Sequence, residues 1–245
     1  MGRRLKQGKG GESTVGAVVG AIFGRPVNIF TAEAAKDRGA GLRILYDAGI
    51  PLRMTAVKKP DLLSVEEYLE GEELAEVKHE YIGGTVHAMA GATIRHNNIA
   101  GNAFGFLFGK LLGKPCQPFN SDTKVRIELP DHTRFYYPDA MVVCQSNPET
   151  DHYQNHPVVV IEVLSDSTRR TDMGEKRDGY LAIASLKVLM LVEPDTPSVT
   201  VYRRQPVGGF SCELYEGLEE IVPLPEIEVE LGLAEIYERV EFLGK

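Results

Sequence analysis

Two acidic residues sit where acids are costly. Asp139 follows Pro138 in FYYPDAMVVC, and Glu162 lies near the end of PVVVIEVL; both runs are otherwise apolar or aromatic. A carboxylate buried in such a strand is unfavourable unless it is paired. If the two strands are neighbours, both acids point to one edge and can share a cation. Two hard oxygen ligands plus water suit Mg2+ or Mn2+. Lys176 follows Glu162 by 14 positions, and Tyr180 lies four further on, a spacing that puts both on one helix face. A lysine in that place can orient an attacking water and stabilise developing negative charge. Glu80, in HEYIGG, is the fourth candidate. Taken residue by residue, a purely structural role stays open: Asp139 as a turn cap after Pro138, and Glu162 as the partner of an arginine.

The elements that must position these groups are well punctuated. LSVEEYLEG predicts a short helix, with Ser64 as N-cap, Glu67 three residues on and Gly71 as a stop. HEYIGGTVHAMA predicts a hairpin around Gly83-Gly84. Residues 93–112 carry Ile99, Ala103, Leu107 and Leu111 at a spacing of four, a helix stripe that Gly113 and Pro115 end. Strands are expected at 123–129, 135–144, 157–165, 187–194 and 198–204. Between the third and fourth of these, a helix is expected from Asp172, as N-cap with Glu175 behind it, through Lys176 and Tyr180 to about Ala184. LGLAEIYERV predicts a closing helix. No internal repeat is visible, and strands, helix, strands in this order imply a mixed sheet with helices packed on it.

Several further residues have two readings each. His96, in T-x-x-H-N at the start of the long helix, can touch a phosphate or an active-site acid, or cap the helix. Ser165 and Thr168 can bind phosphate, or merely form the turn after a strand. Tyr180 can face the substrate beside Lys176 or pack in the core. Arg169 and Arg170 can contact a DNA backbone or form a solvated pair. Cys144 reads as a small apolar strand residue.

Composition bounds the alternatives. The chain has 245 residues, 43% hydrophobic and 25% charged, with room for one large or two small domains. No run of roughly 18 apolar residues is present, so no membrane partner is expected. Cys116, Cys144 and Cys212 lie far apart, which argues against a CxxC zinc ribbon and a disulfide scaffold and fits a reducing, cytoplasmic setting. The net charge of −8 argues against non-specific coating of nucleic acid, so any such chemistry must come from a local site. The charge is uneven: residues 1–53 carry nine Lys/Arg against four Asp/Glu and ten of the 25 glycines, and the remainder carries 18 against 31. The stretch 1–53 therefore reads as a poorly ordered basic, Gly-rich extension, and 54–245, opening at Met54, as the folded domain.

The run YPDAMVV, then VVVIEVLSDST, then D-x-x-x-K-x-x-x-Y resembles the PD-(D/E)XK nuclease superfamily, in particular its Uma2 (DUF820) branch of restriction endonucleases. The resemblance covers nearly all of 54–245, including KHEYIGGTVHAMAGAT-x-x-HN before these motifs and VTVYRR after them. It implies an α+β, restriction-endonuclease-like core: a central mixed β-sheet flanked by helices, and a homodimer. It implies Asp139, Glu162 and Glu80 as metal-binding acids. Lys176 carries the lysine function, because Leu164 stands two residues past Glu162 where the superfamily pattern has lysine. His96, Ser165 and Tyr180 are its candidate substrate-binding residues. The activity implied is Mg2+- or Mn2+-dependent hydrolysis of a DNA phosphodiester. Two alternatives stay open: a non-catalytic nucleic-acid-binding or scaffold module that keeps the fold, favoured mildly by the acidic charge of 54–245, and a hydrolase of small phosphate esters.

Overall fold

The computed structural model describes residues 62–165 and 169–242, and the backbone of 19–22 and 25–28. The chain divides into two units, 1–61 and 62–245. In the first, β1 (Val19–Ile22) and β2 (Arg25–Asn28) form an antiparallel pair. The rest of the expected 1–53 extension lies outside the described residues.

The second unit opens with α1 (Val65–Glu73), whose Ser64 and Glu67 exchange the two reciprocal hydrogen bonds of a capping box. Gly71 does not stop it. The helix runs two residues further, to Glu73, with Gly71 and Tyr68 buried. A mid-helix glycine costs about 1 kcal/mol, and burial of Tyr68 against Tyr81 and Phe135 outweighs it. The hairpin β3 (His79–Ile82) and β4 (Thr85–Ala88) turns at Gly83 and Gly84, both at positive φ, as a tight turn requires. Then α2 (Ile94–Leu111) buries the expected stripe of Ile99, Ala103, Leu107 and Leu111.

The strands that follow are β5 (Gln117–Asn120), β6 (Lys124–Glu128), β7 (Thr133–Tyr136), β8 (Ala140–Val143), β9 (Tyr153–Gln154) and β10 (Pro157–Val163). The expected single strand over 135–144 is two strands in two different sheets. Pro138 has no N–H to give to a ladder, and the chain leaves one sheet at Tyr136 and enters the other at Ala140. Asp139 sits at that crossing.

The helix expected from Asp172 is also different. It begins earlier, as α3 (Arg169–Thr171), passes through a π turn (Asp172–Lys176) kinked at Gly174, and continues as α4 (Arg177–Ala182). Glycine at the kink breaks the regular i to i−4 ladder. Asp172 is therefore a buried residue inside the turn and not its N-cap. The chain closes with β11 (Val188–Val192), β12 (Ser198–Arg204), β13 (Phe210–Glu216), β14 (Ile221–Leu224), β15 (Val229–Gly232) and α5 (Leu233–Ile236).

A six-stranded sheet in the order β13-β12-β11-β10-β8-β5 and a five-stranded sheet in the order β4-β3-β7-β6-β9 organise the unit. Only β10–β11 and β6–β9 pair parallel, so both sheets are mixed. One face of the larger sheet carries Val142, Ile161, Met190 and Val201 against α2, the β14–β15 pair and α5. Its other face, with Met141, Val160 and Leu189, packs on Val125 and Ile127 of the smaller sheet and on Tyr180 of α4. The alternation along β10 thus sends Val159, Ile161 and Val163 one way, and Val160, Glu162 and Leu164 the other.

Cys116 and Cys144 form a disulfide that staples β5 to β8. The pairing of Gln117 with Val143 puts the two cysteines opposite each other. This corrects the reading of Cys144 as a free apolar residue; a separation of 28 positions carries no spacing signal. No helix among the described residues is long and apolar enough to cross a membrane.

The stripe on α2 makes a prediction. Leu107→Ala, at a fully buried position, should destabilise the protein by about 2–5 kcal/mol. Phe108→Ala on the exposed side of the same helix should change stability by less than about 1 kcal/mol. Urea unfolding of the two variants checks the difference.

Candidate active site

The register of the larger sheet brings the two strand acids together. β8 and β10 are antiparallel neighbours with Ala140 opposite Ile161, so the next step along the ladder sets Asp139 beside Glu162. Asp139 Oδ2 accepts the backbone N–H of Val163 at 2.7 Å, which fixes the carboxylate to the end of β10. Its Oδ1 lies 3.0 Å from His96 Nε2. With Asp139 ionised, Nε2 carries the proton. Nδ1 of the same ring is buried and has no hydrogen-bond partner. Thr93, not His96, caps α2, accepting the His96 N–H at 3.2 Å, and this leaves the imidazole to Asp139.

Glu162 is buried between the sheets. Its Oε1 accepts from Tyr180 Oη at 2.5 Å and faces Lys176 Nζ at 3.0 Å. Lys176 Nζ also pairs with Glu80 Oε1 at 2.9 Å and lies 3.9 Å from Asp172 Oδ1. The ammonium rests over the ring of Tyr136, 5.3 Å from its centroid, and Tyr136 meets Tyr180 edge to face. One cation therefore collects acids from β3, from β10 and from its own π turn.

The charges do not balance, and the pKa shifts reflect this. Burial pushes Glu162 up to about 8; the Lys176 ammonium opposes that rise, and the charges of Asp139 and Asp172 add to it. Burial works against the charge of Lys176, yet Glu162, Glu80 and Asp172 together hold it above the ordinary lysine range. The two directions are compatible: the lysine has three acids, whereas Glu162 has a share in one lysine. Burial, then the charge of Glu162 and the hydrogen bond to it, keep the Tyr180 phenol protonated.

The structure thus brings together Glu80, Glu162, Lys176 and Tyr180 in one contact group, and Asp139 with His96 in a second group beside it. Tyr180 is bonded to Glu162 within the core. Ser165 lies just past β10, where its carbonyl accepts the Arg169 N–H. Arg169 makes a two-pronged pair with Glu193 at 2.6 and 2.7 Å. Thr168 and the side chain of Arg170 lie outside the described residues. Asp172 is the residue whose role the sequence reading missed. Its signal was the i, i+4 spacing to Lys176. Glu80 accepts from Lys176 through one oxygen, and among the described residues no three His, Cys, Asp or Glu side chains converge as a ready-made metal cage.

The profile of the Uma2 family, described as "Putative restriction endonuclease", matches residues 65–235. The chain belongs to the Uma2 family. The family match spans α1 through α5 and so includes both groups of site residues. Among curated relatives, the uncharacterized protein slr1290 of Synechocystis sp. (strain ATCC 27184 / PCC 6803 / Kazusa) is 29% identical over 181 residues, covering 74% of this chain and 94% of its own. The uncharacterized protein sll1609 of the same strain is 30% identical over 154 residues, covering 62% and 86%. Among solved structures, the chain resembles a "putative nuclease belonging to DUF820" from Anabaena variabilis ATCC 29413. The TM-score is 0.57 at 20% identity, over 71% of this chain and 97% of that one. This likeness shows the fold: a mixed α+β, nuclease-like architecture.

The raised Glu162 predicts how stability depends on pH. A carboxyl whose pKa is higher folded than unfolded binds its proton more tightly in the folded state. Its contribution is present below about pH 4.5 and is lost as pH rises toward about 8. Relative to Glu162→Gln, which cannot ionise, the parent should lose at least ~1 kcal/mol of stability between pH 5 and pH 8.5. Parallel urea melts at the two pH values read this difference; equal slopes would refute the raised pKa.

Proposed function

We propose that this chain is a divalent-metal-dependent endonuclease that hydrolyses DNA phosphodiester bonds. The observation that carries the reading is the charge imbalance at the strand ends. Asp139 and Glu162 lie side by side, Glu80 and Asp172 lie close by, and one lysine is shared among the acids. Mg2+ in phosphate chemistry is usually held by one or two carboxylates, and takes its remaining ligands from water and substrate. The donor set fits that habit: Asp139 and Glu162, with the Val163 carbonyl as a third oxygen, and Glu80 as an outer acid. A cation held there supplies Lewis-acid polarisation of the phosphate and lowers the pKa of an attacking water.

The protein's own groups then have distinct tasks. An ammonium has three donors. Two of those on Lys176 go to Glu80 and Glu162, and Asp172 is beyond hydrogen-bond distance. The third is available to a water or a phosphate oxygen, where it can orient the nucleophile and offset the charge that develops on the phosphoryl group. Tyr180 holds Glu162 in one rotamer. His96 and the Val163 N–H hold Asp139, so neither acid must reorganise when substrate arrives. In this reading Ser165 stands at the approach, His96 and Tyr180 act through the acids they hold, and a homodimer would offer one such site to each DNA strand.

A specific observation favours a second reading. Residues 54–245 carry 31 acidic against 18 basic residues, and DNA-handling domains usually show a basic face. That supports a non-catalytic module that keeps the fold. Retention of both acids, of Lys176 and of the contacts among them supports the enzyme.

Supercoiled plasmid incubated with the full chain and Mg2+ or Mn2+ separates the two. The enzyme should nick or linearise the plasmid. Asp139→Ala, Glu162→Ala and Lys176→Ala should each slow cutting by about 10²-fold or more, the scale of losing one transition-state charge contact. Cutting that survives these substitutions, or no cutting by the parent with either metal, would reject the enzyme reading.

A further inference from the structure

A second buried cluster of ionisable groups lies outside the proposed site, on the far end of the smaller sheet. At its centre is Glu72, in the last turn of α1, with its carboxylate almost fully buried. Its Oε1 accepts two hydrogen bonds, from the His79 backbone N–H at 2.7 Å and from the Tyr137 hydroxyl at 2.9 Å. Its Oε2 lies 3.0 Å from His79 Nδ1. One turn earlier on the same helix face, Tyr68 donates to the His79 carbonyl at 2.6 Å. His79 is therefore gripped at its N–H, its carbonyl and its ring by two residues of a single helix. The Tyr137 hydroxyl is reached from the other side by the buried Lys124, whose Nζ lies 3.3 Å away and over the rings of Tyr68 and Tyr137.

The two segments joined in this way are the ones that carry site acids. Glu80 is the residue after His79, and side chains alternate along β3, so His79 turns toward α1 while Glu80 turns toward Lys176. Asp139 lies two residues after Tyr137, across the proline where the chain changes sheets. One carboxylate of α1 thus ties the strand bearing Glu80 to the crossing that bears Asp139. Burying an acid among a histidine, a lysine and two tyrosines is expensive unless every oxygen is satisfied, and here both are. A plain apolar contact would bury α1 more cheaply, but would not set the distance between two backbone segments to within a hydrogen bond.

We propose that Glu72 is a positioning residue for the site: a strut that sets Glu80 against Lys176 and Asp139 against His96. The proposal rests on the reading of those four as working groups, and its test does not require the protein to cut DNA. The strut has two arms, one to His79 and one to Tyr137. Glu72→Ala removes both. Glu72→Gln keeps both, because its amide oxygen still accepts at the Oε1 position and its NH2 can donate to a His79 ring protonated on Nε2. Tyr137→Phe removes the second arm alone.

The experiment is nuclear magnetic resonance of the full chain labelled in its lysine and histidine side chains. The Lys176 signal is assigned by its loss in Lys176→Met, and the His96 signal by its loss in His96→Gln. Glu72→Ala should move both signals, shifting Lys176 in the same direction as Glu80→Gln does. Glu72→Gln should leave both near the parent positions. Tyr137→Phe should move the His96 signal and spare Lys176. A merely structural role predicts something else: a lower melting temperature with both signals unmoved, as expected of Val201→Ala, a core truncation on β12. A folded Glu72→Ala protein with both signals at the parent positions overturns the proposal. If Glu72→Ala does not fold, an unmoved His96 signal in Tyr137→Phe overturns it. Plasmid cutting measured in parallel judges the nuclease reading separately: if the parent does not cut while the signals move as described, the strut stands and the nuclease reading falls.

Discussion

A buried ammonium must find its partners within reach or lose more hydration energy than its contacts return. Lys176 meets that requirement only because three elements converge on it. Glu80 comes from the outer hairpin of the smaller sheet, Glu162 from a central strand of the larger sheet, and Asp172 from the turn that carries the lysine itself. The space between the sheets, the kinked helix that enters it and the ring of Tyr136 under the ammonium all serve this contact. Buried ion pairs are weak stabilisers when compared with apolar residues of the same volume. Three acids around one lysine are therefore poorly explained as a device for stability, and better explained as a device for handling charge.

Topology decides which atoms meet there. Antiparallel pairing of β8 with β10 places Asp139 and Glu162 on adjacent strand ends, and parallel pairing of β10 with β11 leaves those ends open for the π turn to fold over them. The switch of sheets at Pro138 is part of the same arrangement. A continuous strand through 135–144 would keep Asp139 in a ladder, with its carboxylate on one face of a sheet. Broken at the proline, the chain lets Asp139 turn to the Val163 N–H and to His96, which reaches it from α2 on the opposite side of the larger sheet.

What could be read beforehand was what local pattern encodes. The α2 stripe repeats every four residues, and the Ser64–Glu67 box and the Gly83-Gly84 turn are complete within a few positions. Asp139 and Glu162 stood out because acids are rare in strands of Val and Ile, and Lys176 and Tyr180 because their spacing puts both on one face. What escaped depends on contacts between distant segments. The strand order, the division at Pro138 and the disulfide between Cys116 and Cys144 are set by pairing across the sheets. Asp172 looked like a cap because Asp-x-x-Glu usually is one, and only the kink at Gly174 turns it inward. Nothing in VEEYLEGEE distinguishes Glu72 from the other acids of that run; its burial follows from where α1 docks, which the run does not encode.

On the proposed reading, the acidity of the folded unit and a polyanionic substrate are reconciled by distance. At physiological salt a surface charge is screened beyond about 8 Å, so the net charge of the domain governs long-range approach and the local cluster governs what happens at contact. Long-range approach of a polyanion is then unaided. At contact, the cluster at the end of β10 holds more carboxylate than one lysine can neutralise. A phosphate arriving there alone would be repelled, whereas a divalent cation arriving with it would offset the charges of Asp139 and Asp172, which add to the rise that burial imposes on Glu162. On the same reading, this imbalance would make the cation a condition for substrate to enter, and would couple metal and substrate occupancy without any moving part.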